Sequence, residues 1–130
     1  MTIWLPEVED FVEAHDQASR VSEIRTEGFM HSQEKGMRKI ENILEDTDSY
    51  SDPYMAAAYL LRETVKNQPF SDGNHRTGII LAKQTLRKND ESFNVSKMKS
   101  ADEIKNDLKW NLKHSEVDEI ANWIQKGTFS

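Results

Sequence analysis

Apolar residues recur at helical spacing along most of this chain. Val8, Phe11, Val12 and His15 follow an i, i+3, i+4, i+7 pattern, and Pro6 is placed to open the first turn. From Ile24 to Ser32 the pattern is less regular, with Gly28 at its centre. Met37, Ile40 and Leu44 restore helical spacing, which then fades through the polar run Glu45-Asp46-Thr47-Asp48-Ser49. Asp52-Pro53 is an N-cap and first-turn pair for a helix with Ala57, Ala58, Leu61 and Val65 on one face. Pro69 makes it hard for that helix to continue. The next helix uses Ile79, Ala82 and Leu86, and a polar break follows from Asn89 to Ser96. Ser100-x-x-Glu103 reads as a capping box ahead of Ile104 and Leu108. A last helix starts near Ser115, presents Val117, Ile120, Ala121 and Ile124, and ends at Gly127. The pattern predicts about six helices in a single all-α domain spanning residues 1–130.

Composition narrows the function classes. With 17 basic and 23 acidic residues the formal charge is −6. An acidic chain has no general attraction for nucleic acid or an anionic membrane, so neither is expected as a partner and any phosphate ligand needs a local site. The 130 residues include no cysteine, which excludes disulfides and thiolate metal sites. No long apolar run occurs, and the N-terminus reaches acidic residues at once. The expectation is a soluble, cytoplasmic protein with neither signal peptide nor membrane span. His31 and His114 have no zinc-ligand spacing with each other or with His15 and His75. His15, among apolar positions, reads as a packed core histidine.

The densest chemistry lies in Gln68-Pro69-Phe70-Ser71-Asp72-Gly73-Asn74-His75-Arg76-Thr77-Gly78. A glycine turn opening into a helix leaves backbone N–H groups uncovered at the positive end of the dipole, where anions bind. Asp72 offers a hard oxygen suited to magnesium, or else a simple N-cap. Gly73 allows a close backbone approach, or merely the turn. Arg76 sits where a cation is unfavourable beside the helix dipole, and a bound phosphate would supply the missing anion. His75 has three readings: a phosphate contact, a displaced base, or a solvated side chain. Neighbouring helix residues face different ways, which weighs against the second. Phe70 reads as an inward-packed anchor.

These residues resemble the signature of the Fic/Doc (Fido) family, His-x-Phe-x-Asp/Glu-Gly/Ala-Asn-x-Arg. Phe70, Asp72, Gly73, Asn74 and Arg76 match, while Gln68 stands where the family has its catalytic histidine. Arg76-Thr77-Gly78 looks like the Arg-Thr-Ala of the Doc branch, and Ile79 occupies the place of the second arginine of many Fic enzymes. The resemblance implies a compact Fido fold whose two central helices flank the signature loop. A short flap is expected at Gly28-Phe29-Met30-His31, or in a bland reading an ordinary connecting loop. It further implies transfer of a phosphate or AMP group from ATP or another nucleoside triphosphate to a protein hydroxyl. Doc phosphorylates a threonine of elongation factor Tu, whereas most Fic proteins transfer AMP. The implied catalytic positions are Gln68, Asp72, Asn74 and Arg76. Magnesium falls to Asp72, and the phosphates to Gly73, Asn74, His75 and Arg76.

Glutamine donates and accepts hydrogen bonds but takes no proton near neutral pH. Three explanations for Gln68 stand open: a substitution introduced to tame a toxic protein, a natural pseudoenzyme that binds nucleotide or a partner, or a variant needing no strong base. The inhibitory pattern Ser/Thr-x-x-x-Glu-Gly/Asn is met neither at Glu23 to Gly28 nor at Ser115 to Ile120. Restraint by a separate antitoxin chain is therefore the expectation.

Overall fold

The computed structural model describes residues 3–21, 33–70 and 73–129, without the side chains of 19–21 and 33. The described residues form seven α-helices and no β-strand: α1 (Val8–Val21), α2 (Gln33–Thr47), α3 (Pro53–Asn67), α4 (Asn74–Lys88), α5 (Val95–Met98), α6 (Ala101–Asn111) and α7 (Val117–Lys126), with a 3-10 turn at Leu112–His114. The all-α expectation holds. The candidate flap at Gly28 to His31 lies outside the described residues.

Local chemistry explains most boundaries. Asp52 caps α3 by accepting from the Tyr54 N–H at 3.0 Å, with Pro53 in the first turn. Ser100 and Glu103 form the capping box of α6 in both directions, and Gly127 ends α7 with φ of 80°. Four expectations shift. Pro6 precedes α1 rather than opening it, because the helix starts at Val8 and the Glu7 N–H is taken by the Asp10 carboxylate at 2.7 Å. Val12 is 43% exposed, and Ala14 and Ala18 are buried on α1 instead. Helix α2 continues through the polar run to Thr47, whose hydroxyl donates to the buried Ile43 carbonyl. The supposed break after Asn89 contains α5 and places Phe93 and Val95 in the core.

Helices α3 and α4 are the central pair, an αα-hairpin whose connection is the signature loop. One core cluster joins Ala57, Leu61 and Val65 of α3 and Ala82 and Leu86 of α4 to Leu108, Leu112, Ile120, Trp123 and Ile124. A second, on the other side, joins Leu60 and Leu81 to Phe11 and Ala14 of α1, Ile40 and Ile43 of α2, and Phe70 of the loop. Apolar burial on both flanks thus fixes the hairpin, and with it the place where the loop emerges. Gly78 permits the close crossing: a Cβ there would lie 3.0 Å from Leu61 Cδ1 and 3.3 Å from the Leu61 carbonyl oxygen. Among the described residues, no helix is long and apolar enough to cross a membrane.

Candidate active site

The signature loop is held from inside. Phe70 is 2% exposed, and its ring stacks on that of His15 at 4.0 Å with planes 7° apart. The two sequence readings, an anchoring Phe70 and a packed His15, meet in one contact that ties the loop to α1. Asn74 closes the turn. Its Nδ2 donates to the Phe70 carbonyl at 2.9 Å, and its Oδ1 accepts from the Phe70 N–H at 3.2 Å. The amide therefore pairs with backbone as a strand would, and Asn74 shapes the loop first. Thr77, which the sequence reading passed over, donates through both its N–H (3.0 Å) and its hydroxyl (2.8 Å) to the Gly73 carbonyl. Its i−4 spacing from Gly73 was a visible signal for such a back-bond.

Gly73 adopts φ 77° and ψ 17°, the left-handed region, and among the described residues no side chain caps α4. A left-handed residue followed by right-handed Asn74 turns successive N–H groups toward one point, an anion-binding concavity. The N–H groups of Asn74, His75 and Arg76 have no acceptor among the described residues. Arg76 is exposed and forms no ion pair there. His75 is also solvent-exposed, yet surrounding protein and then the nearby Lys113 ammonium pull its pKa below the ordinary histidine value. A neutral imidazole at pH 7 follows. Ile79 is partly buried against the larger core cluster, so packing occupies the position of the family's second arginine.

Gln68 ends α3 in the left-handed region, φ 47° and ψ 66°, with its N–H donating to the Thr64 carbonyl. One residue earlier, Lys39 of α2 donates to the Asn67 carbonyl at 2.8 Å. A cation at a helix C-terminus complements the dipole, and here it also fixes the backbone that carries Gln68. The side chain of Gln68 is exposed. The structure thus gathers Gln68, Gly73, Asn74, His75 and Arg76 at one end of the α3–α4 hairpin. Asp72 lies outside the described residues, among which no group of three metal-ligating side chains occurs. Magnesium fits a site with one carboxylate, since it keeps water and takes substrate phosphates as further ligands. A separate groove of about 320 Å³ runs between α1 and α4, with Asp10 and Glu13 on one wall and Lys83 and Arg87 on the other. It flanks the middle and C-terminal part of α4, away from the signature.

A sequence model described as the Fic/DOC family matches residues 5–86, more than half of the chain. The match runs from the segment before α1 through most of α4 and includes the signature loop. No curated protein and no solved structure matches. The chain belongs to the Fic/DOC family, a family of Fido-type transferases.

Proposed function

We propose that this protein is a Doc-like member of that family, built to move a phosphorus-containing group from a magnesium-bound nucleoside triphosphate to a hydroxyl of a target protein. The observation that carries the reading is an Arg76 guanidinium with no ion pair among the described residues, in the same first turn as three N–H groups with no acceptor among them, at the positive end of α4. Without an anion that arrangement is unfavourable; a triphosphate satisfies it. Asp72 would hold magnesium, and Gly73, His75 and Arg76 would take phosphate oxygens. Asn74 contributes through its N–H and by holding the turn. The hydroxyl oxygen of the target attacks phosphorus. Its proton passes to water, since Gln68 cannot take it; the nucleoside diphosphate leaves if the γ-phosphorus is attacked, and pyrophosphate leaves if the α-phosphorus is.

Ile79 in place of a second arginine, together with Arg76-Thr77-Gly78, favours the phosphorylating Doc branch over AMP transfer. Elongation factor Tu, the Doc substrate, is the first target to assay. Work in the cytoplasm and restraint by an antitoxin chain belong to the same reading. Ser115 and Glu119, the near miss to the inhibitory pattern, are occupied locally. The hydroxyl donates to the Asn111 carbonyl, and the carboxylate accepts from the Glu116 N–H. Gln68 favours a second reading of the same fold, a silent nucleotide-binding protein, because it supplies no base.

Calorimetry with magnesium–ATP tests the binding step. The protein as it stands binds ATP, and Arg76→Ala weakens binding by about 1.5–3 kcal/mol, the scale of a charge-assisted hydrogen bond. Absence of binding at millimolar ATP, with and without magnesium, would overturn the proposal.

A further inference from the structure

Helix α6 lies beyond the span of the family match, and its outer face differs from the rest of this acidic molecule. Asp102, Lys105, Asn106, Lys109, Trp110 and Lys113 are all exposed and form one continuous arc of α6 and the 3-10 turn. At 70%, Trp110 is the most exposed of the described large apolar side chains, and the Lys109 ammonium lies 5.4 Å from its ring centroid. None of the three lysines is in an ion pair among the described residues. Asp102 is the one carboxylate on this arc among the described residues, and other carboxylates of this part of the chain are hydrogen-bonded to their own surroundings. Asp107 accepts from Lys99 and Trp123, Glu103 from the Ser100 N–H, and Glu119 from the Glu116 N–H. Complementing the dipole explains a lysine in the last turn of α6. It does not explain a solvent-exposed tryptophan between Lys109 and Lys113, tryptophan being a residue type enriched where proteins bind partners.

The arc leads to the candidate active site. Leu112, 1% exposed, is buried in the core cluster against which Ile79 of α4 packs. Ile79 and His75 are four residues apart and so share a face of α4. Lys113 follows Leu112 directly and lies close enough to His75 to disfavour its protonation. The basic face therefore runs toward His75 in the first turn of α4, where on the transferase reading the attacking hydroxyl would arrive.

We infer that the α6 face formed by Lys105, Lys109, Trp110 and Lys113 docks an acidic segment of the target polypeptide and brings its hydroxyl to the signature loop. The inference rests on the transferase reading only for the second half of that statement. Charge complementarity selects an acidic occupant, and the exposed Trp110, a residue type enriched where proteins bind proteins, selects a polypeptide.

The test is fluorescence anisotropy with a labelled deca-glutamate peptide at low salt, against the full chain and a Lys105→Glu/Lys109→Glu variant. The peptide is expected to bind, to lose affinity as salt rises, and to bind the variant about tenfold more weakly. Trp110→Ala should weaken it as well, while magnesium–ATP binding, measured on the same samples, stays within about twofold of the parent because these residues lie beyond Lys113. No peptide binding at millimolar concentration, or equal binding by the variant, overturns the docking face. Tighter binding of a deca-uridylate than of the peptide overturns the polypeptide as occupant. If lysine-dependent peptide binding persists while the parent fails to bind ATP, the transferase reading falls and the docking face stands.

Discussion

On the proposed reading, Gln68 is the single side chain on which the chemistry of the site turns. Its backbone is left-handed, a conformation uncommon for residues other than glycine but several-fold enriched in asparagine, aspartate and histidine. Histidine therefore suits the position without backbone rearrangement, and Gln68→His should leave thermal stability essentially unchanged. If the missing base is the only lesion, the variant should transfer label from ATP to a protein hydroxyl about two to four orders of magnitude faster than the parent. The gain should vanish in Gln68→His/Asp72→Ala, because a base cannot act on misplaced phosphates. Comparing γ-labelled with α-labelled ATP in a lysate separates phosphorylation from AMP transfer. A folded, ATP-binding Gln68→His protein that incorporates neither label would establish the silent reading. A parent that already labels its target at ordinary enzymatic rates would show that position 68 is not the base.

Between elements, the α3–α4 hairpin matters most, and the sequence announced it unevenly. Ala57, Ala58, Leu61 and Val65 were legible as one face because small and branched apolar residues at helical spacing have no other use. The Asp52, Ser100 and Gly127 caps were equally legible, since their chemistry is local. Phe93 and Val95 were not, because two apolar residues in a polar stretch carry no period until tertiary packing recruits them. In the candidate site, Phe70 and the open helix N-terminus could be read from spacing. The pairing of Asn74 with the Phe70 backbone and the approach of Lys113 could not, since both depend on how the chain returns in space. Gly78 is the test of the hairpin. In a helix interior, alanine normally gains about 1 kcal/mol over glycine, yet here its methyl would press on Leu61. Gly78→Ala should therefore give no net gain, and Gly78→Leu should cost about 3 kcal/mol or more in urea unfolding. Stabilisation by either substitution would mean that the two helices do not cross this closely.

Across the molecule, the proposed site joins the signature residues 68–76 to the later residues 105–113, and one carboxylate orients the part that carries the basic face. Asp107 on α6 accepts from Lys99, which precedes the helix, and from the indole N–H of Trp123 on α7 at 2.8 Å. Partial burial alone would raise its pKa, but the bonds to Lys99 and Trp123 and the Lys99 charge outweigh this and hold it below the ordinary carboxylate value. A depressed folded pKa makes the charged form the stabilising one. Its contribution is complete above the unfolded value near about pH 4 and is lost as pH falls through the lower, folded value. Asp107→Asn should be less stable than the parent at pH 6 by about 1 kcal/mol, a magnitude reduced by the partial exposure of the pair. The two proteins should converge in urea unfolding as the pH falls below the depressed folded value, where Asp107 is protonated in both states of the parent. The carboxylate of Glu103 is present in both proteins and is held low first by its hydrogen bonds to Ser100, the repulsion from Asp107 being the smallest of the influences on it. A gap that stays constant as the pH falls from 6 through the folded value would show that Asp107 acts through shape and not through its charge. In that case the orientation of α6 against α7, and with it the course of the basic face toward His75, would rest on apolar packing by Leu108, Leu112 and Trp123 alone.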